Sequence, residues 1–237
     1  MDGRVPATLK TLFLKPGVLT ADFLAGRRAR WLSPLRVYLI CSIAFFGSRA
    51  MLDEFGIRTP REMAGVSFRR AEGAGPVTPE ERQLIAEGPP GRILGVERIE
   101  RAMTDTRRFN REFEAAIPRA MFILLPVFAL LTNLAWRKRH PKYPAHLYFT
   151  LHLHSALFGA MAAVSIAAGF IPSLAVAVAV GLLFPVYTVW YSLTALRHVF
   201  GDSWPKTIGK AVLIAAAYLA SLFVVLMTLL AYAVSKM

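Results

Sequence analysis

The stretch from Ala145 to Leu196 reads AHLYFTLHLHSALFGAMAAVSIAAGFIPSLAVAVAVGLLFPVYTVWYSLTAL and holds no Asp, Glu, Lys or Arg in 52 residues. As one helix it would be about 78 Å long, whereas the hydrocarbon layer of a bilayer is about 30 Å thick. The chain must therefore turn back, and Phe170-Ile171-Pro172 is where it can. Two membrane-crossing helices result, Ala145–Gly169 and Ser173–Leu196, because in lipid each backbone polar group has to be satisfied within its own segment.

Three further stretches meet the same length requirement: Pro34–Leu52, Ile117–Trp136 and Ile208–Val234. None of the five contains an acidic residue. The fold class expected is all-α, a polytopic transmembrane bundle of about five spans. Residues 1–33 form a cytoplasmic interfacial segment, 34–52 the first span, 53–116 a partly helical extracytoplasmic loop, and 117–237 the remaining four spans. A mean hydropathy of +0.46 with 55% hydrophobic residues agrees with lipid as the solvent. No cleavable leader pattern precedes Trp31.

Charge orients the bundle. With five crossings, 14 Lys and Arg flanking the first, second and fourth spans fall on one side against Asp2, Asp22 and Asp202, while the 12 Arg and 12 acidic residues between Asp53 and Arg119 cancel on the other. By the positive-inside bias this places the N-terminus in the cytoplasm and the C-terminus outside. Trp31, Trp136, Tyr143 and Trp204 fall at the same boundary, where headgroup-level aromatics are expected. The net charge of +13 is spent on that boundary, and no compact basic module interleaved with aromatics suggests nucleic acid.

Ahead of the first span, Leu9, Leu12, Phe13, Val18, Leu19, Phe23 and Leu24 recur at helical spacing around Lys15-Pro16-Gly17. This predicts two short amphipathic helices lying on the inner leaflet. Arg27, Arg28, Arg30 and Trp31 would then contact anionic lipid headgroups or a protein partner. In the outer loop, Thr78-Pro79-Glu80-Glu81 carries a capping-box pattern for a helix to Glu87, stopped by Gly88-Pro89-Pro90-Gly91. An apolar stripe from Ile93 to Phe113 predicts an amphipathic helix leading into the second span. Arg58 to Val77, rich in Gly, Pro and charge, is expected to be poorly ordered.

His146, His152 and His154 sit inside the third span, and His198 lies at the cytoplasmic boundary just past the fourth. Ionisable groups at such depth are candidates for function, here as ligands of a transition metal or haem iron. At about 100° per residue one helix cannot aim all three at a single ion, so such a site needs a second helix. The other reading has these histidines hydrogen-bonding between helices. The ladder Ser155, Gly159, Ala163, Ala167 allows close packing, inside the bundle or in a homo-oligomer. One cysteine, Cys41, rules out an intramolecular disulfide or a cysteine-rich zinc site. Phosphate-loop, nucleophile-elbow, zincin and dinucleotide signatures are all missing.

Several motifs resemble those of a family. They are Lys15-Pro16-Gly17 with Phe23-Leu24-Ala25-Gly26-Arg27-Arg28-Ala29-Arg30-Trp31 and Pro34-Leu35-Arg36-Val37-Tyr38, then His146 to His154, then Ala195-Leu196-Arg197-His198-Val199-Phe200-Gly201. In order and content they are similar to an uncharacterised family of bacterial multi-pass membrane proteins, a domain of unknown function whose members often begin with a zinc ribbon that this sequence lacks. The resemblance implies a bacterial inner-membrane location and carries no activity. The function expected is a non-enzymatic accessory, scaffold or transport-related component with no cofactor. The alternative is a metal- or haem-dependent redox enzyme built on the third-span histidines.

Overall fold

The structure, a computed structural model, describes residues 3–54, 77–171 and 173–237. The described residues form ten α-helices and no strand: α1 Arg4–Leu14, α2 Val18–Leu24, α3 Pro34–Glu54, α4 Pro79–Glu87, α5 Pro89–Leu94, α6 Val96–Thr104, α7 Thr106–Trp136, α8 Tyr143–Phe170, α9 Leu174–Phe200 and α10 Trp204–Ser235. Five of them (α3, α7, α8, α9, α10) are long and apolar enough to cross a membrane. Leu182, Leu183 and Val186 of α9 and Val212, Leu213 and Phe223 of α10 are each 61–72% exposed, a surface that needs lipid rather than water. The fold is thus the all-α polytopic bundle that the apolar runs predict. The expectation for Arg58–Val77 lies, apart from Val77, outside the described residues.

The chain divides into two compact units, Met1–Val66 with Leu125–Ala217, and Ser67–Leu124 with Tyr218–Met237. In the first unit α8 is the central element. Its longest interface is with α3, and α1, α2 and α9 also pack against it. Helix ends follow local chemistry. Gly17, at φ +83°, turns the chain from α1 into α2. Ser173 caps α9 by accepting from the Val176 N–H, and Gly201, at φ +67°, closes it with its N–H donated to the Arg197 carbonyl.

Here the structure corrects one expectation. The apolar faces of α1 and α2 are turned onto protein rather than laid on the leaflet: Leu12, Leu19 and Phe23 are 1%, 2% and 5% exposed, and α2 packs on both α8 and α9. Amphipathic spacing shows that a face must be covered, without saying by what.

In the second unit the capping box of α4 forms as the sequence predicts, with the Glu81 N–H donating to Thr78 Oγ1 and the Thr78 N–H to Glu81 Oε2. The stripe from Ile93 to Phe113 is not one helix, however. Pro89 opens the short α5, since its fixed φ suits the first helical position, and Gly95, at φ +86°, separates α5 from α6. Asp105 separates α6 from α7. Phe109 and Phe113 stack on each other and form a core with Ala102, Ala233 and Met237. That burial is the partner left open by the amphipathic pattern.

Candidate functional site at the basic end of the bundle

The three separated motif stretches meet within the first unit. Gly17 of the Lys-Pro-Gly turn lies against α9, where a Cβ would come within 2.9 Å of the Ala195 carbonyl and 3.1 Å of His198 Cβ. Tyr191 donates its buried hydroxyl to the Leu12 carbonyl at 2.6 Å. Phe23 packs edge-on against both Tyr148 and His152 of α8, with ring centroids 6.0 and 5.5 Å away. Thr20 Oγ1 and His152 Nδ1 are 3.0 Å apart and buried, a hydrogen bond between positions 132 residues apart in the chain. The hairpin α1–α2 is thereby fixed to the bundle by two buried polar bonds and an apolar face.

Thr20→Val keeps the shape and removes the hydroxyl, leaving His152 Nδ1 buried without a partner. The expected loss is about 1–3 kcal/mol of stability. It should appear as a lowered thermal midpoint of the detergent-purified chain, and an unchanged midpoint would show that the bond contributes nothing.

His146 and His154 are also bound locally. His146 is fully buried and its Nε2–H donates to the His140 carbonyl at 2.9 Å, which leaves Nδ1 as the unprotonated nitrogen without a partner. His154 Nδ1–H donates to the Thr150 carbonyl one turn back and meets the Phe128 ring edge-on. His198 is exposed beside Gly17. Hence the four histidines expected as ligands do not converge. Among the described residues no group of three or more His, Cys, Asp or Glu side chains is placed to hold a metal ion. The helical angle between His146, His152 and His154 separates them, and the crossing neighbours supply a hydroxyl and a ring instead of further ligands.

Two carboxylates organise this end, and each uses the same parts. Asp22 accepts from Arg27 at 2.6 and 3.1 Å and from the Trp31 indole N–H at 2.8 Å, while Arg30 lies 4.7 Å over the Trp31 ring. Asp202 accepts from Lys210 at 2.8 Å and from the Trp136 indole at 2.8 Å, and pairs with Arg139 at 3.0 Å, while Lys210 lies 4.7 Å over the Trp136 ring. The Arg27 bonds, and then the Trp31 bond, hold the Asp22 carboxyl below its ordinary pKa against the opposing effect of burial. For Asp202 the Lys210 bond leads, and the Trp136 bond and the charges of Lys210 and Arg139 add to it.

Around the second carboxylate the rings form a stack. Phe200 is sandwiched between Trp136 and His146, with centroids 4.6 and 5.1 Å away and planes 13° apart on both sides. Arg139 also donates to the Phe200 and Gly201 carbonyls at the end of α9. The last turn of α7, the first turn of α8, the end of α9 and the start of α10 are thus tied into one knot.

Of the residues expected at the headgroup boundary, Trp31 and Trp136 are therefore turned inward, at 6% and 1% exposure, because each indole N–H has a carboxylate to serve. Trp204 stays exposed. So do Arg27, Arg28 and Arg30; Arg28 lies 6.0 Å over the Tyr148 ring. Beside the Asp202 knot is a cavity of about 360 Å³ lined by Thr194, Arg197, His198, Gly201, Asp202 and Trp204.

No curated protein and no solved structure matches the chain. Residues 2–46, which hold α1, α2 and the first part of α3, match the model of a family described as a protein of unknown function (DUF3667), so over the segment that docks on α8 and α9 the resemblance to an uncharacterised family is borne out.

Proposed function

We propose that this chain is an integral protein of a bacterial inner membrane with its N-terminus in the cytoplasm. In this reading it is a non-enzymatic accessory or scaffold whose cytoplasmic rim holds anionic lipid headgroups or a protein partner. The observation that carries it is the state of the α1–α2 hairpin. Its apolar face is already taken by α8 and α9, and what it presents outward is Arg27, Arg28 and Arg30. A cation near an anionic leaflet gains about 1 kcal/mol, so this exposed cluster, in which Asp22 offsets Arg27 and leaves Arg28 and Arg30 in excess, would collect headgroups. The gathering of the flanking basic residues at the end where α7, α8, α9 and α10 are knotted supports the same orientation.

The test uses the whole chain, extracted from vesicles of mixed phosphatidylglycerol and phosphatidylcholine, with the retained lipids counted by mass spectrometry. The variant carrying Arg27→Gln, Arg28→Gln and Arg30→Gln should retain several-fold less phosphatidylglycerol, and Arg28→Gln with Arg30→Gln alone, which keeps the Arg27–Asp22 pair, should also retain less with an unchanged thermal midpoint. An unchanged lipid count would sink the rim reading. Elemental analysis and an absorption spectrum of the same preparation check the chemistry. A stoichiometric metal, or a haem band abolished by His152→Ala with His154→Ala, would replace this proposal with a redox one.

A further inference from the structure

We infer that the cavity between the end of α9 and the start of α10 is a binding site for a phosphate group, with the Arg197 guanidinium as its recognition element. The inference leans on the membrane reading above only for where the phosphate comes from, and not at all on Arg27, Arg28 or Arg30.

Three features of the cavity point to that ligand. First, Arg197 is held in place without being used up. Its guanidinium carbon lies 4.5 Å over the Trp204 ring, and its N–H groups have no acceptor among the described residues. Stacking engages the face of the guanidinium and leaves the N–H edge free, which is the edge that matches two oxygens of a phosphate. An arginine ordered in this way has already lost much of the side-chain freedom that binding would otherwise remove.

Second, the cavity is net positive despite its carboxylate. Asp202 is the one acid in the lining, and both its oxygens are occupied, Oδ1 by Arg139 and Oδ2 by Lys210 and the Trp136 indole. One negative charge is thus countered by two positive ones before Arg197 is counted. A cationic ligand would find a carboxylate whose charge is already countered, while an anionic one meets the uncommitted N–H groups of Arg197. His198 and the Thr194 hydroxyl line the same wall and add donors suited to the remaining phosphate oxygens.

Third, size and position fit. About 360 Å³ is at the small end of the range for ligand sites, about 300–1,000 Å³, enough for a phosphorylated headgroup and not for a nucleotide with its base and sugar enclosed. The walls come from the last turn of one apolar helix and the first of the next, the level at which a lipid phosphate would sit. A free phosphate and a lipid phosphate share this chemistry.

The experiment is calorimetric titration of the full chain in a non-ionic detergent and phosphate-free buffer. The probes are short-chain phosphatidic acid, the phosphate-free diacylglycerol with the same acyl chains, and inorganic phosphate. Saturable binding of phosphatidic acid is expected, weakened at least tenfold in Arg197→Gln, weakened less in Arg197→Lys, and unchanged when Arg27, Arg28 and Arg30 are all Gln. Inorganic phosphate binding with the same dependence on Arg197 would also support the site and assign it to a free ligand. The proposal is overturned if neither phosphatidic acid nor phosphate saturates, if Arg197→Gln leaves binding unchanged, or if diacylglycerol binds as tightly as phosphatidic acid. Since the rim is judged by lipid retention in the triple variant, the two readings fail separately.

Discussion

Asp202→Asn lowers the unfolding free energy by about 2–3 kcal/mol, the expected result of removing a buried charge that holds three donors at once. An amide oxygen can still accept from the Trp136 indole. It cannot balance Lys210 and Arg139, whose side chains are 34% and 58% exposed and so are left partly hydrated rather than stranded. That partial hydration keeps the expected loss below the upper range for breaking a fully buried pair. The measurement is thermal unfolding of the detergent-purified chain at neutral pH.

The pH dependence has a definite sign. The folded-state pKa of Asp202 is lowered, chiefly by the Lys210 bond. Its contribution is therefore complete above the ordinary carboxylate pKa of about 4 and is lost as pH falls from there through the lowered folded value. The gap between the wild-type chain and Asp202→Asn should accordingly be constant from pH 7 down to about 5 and shrink below 4. A gap that instead narrows between pH 5 and 7 would mean that another group, and not this carboxylate, carries the linkage.

Asp202 also shows where reading the sequence stops. The spans are legible because each needs only its own residues: a run of about 20 apolar side chains, its ends set by Pro, Gly and charge. The Thr78 capping box is legible for the same reason, all its atoms lying within one turn. Asp202 is the only Asp or Glu after Glu114, which is a signal. Yet an acid among basic neighbours reads as a small deduction from a charge count until Trp136, 66 positions earlier, is brought to it by the fold. Asp22 is likewise the one acid near Arg27 and Arg30, and its partners are close enough in sequence that the cluster was within reach of pattern reading.

The histidines stand out for their depth, and depth alone does not distinguish a ligand from a hydrogen-bonding group. What separates the two is the neighbour across the helix interface. For His152 that neighbour is Thr20, in a segment whose amphipathic spacing is equally compatible with a lipid surface. Likewise, the resemblance motifs are visible in the sequence, while their meeting at one place depends on the docking of α1 and α2.

That docking leaves no room for a side chain at Gly17, and Gly17→Ala should release it. At φ +83° an L-residue is strained by about 1–2 kcal/mol, and the new methyl would lie 2.9 Å from the Ala195 carbonyl oxygen and 3.2 Å from Ala195 Cα, both backbone atoms that cannot move aside cheaply. Together these disfavour the docked hairpin by about 2–4 kcal/mol, on the order of 30- to 1,000-fold in the undocked population. The reporter is built in. Cys41, the only cysteine, is 3% exposed, and it and the Phe13 ring of α1 converge on Gly159 of α8. Undocking of the hairpin takes Phe13 away from this contact and should open a route for a thiol reagent to Cys41. Maleimide labelling of Cys41 should therefore be slow in the wild-type chain and faster by an order of magnitude or more in Gly17→Ala. Gly26→Ala is the control, because φ there is +82° but a Cβ would meet nothing within 4 Å. It carries the conformational strain without the clash, so it should label only modestly faster. Equal labelling of the two variants would mean that strain in the hairpin, and not its fit against α9, governs whether it stays docked. Labelling of wild-type Cys41 as fast as either would mean that the hairpin does not cover the bundle in the first place.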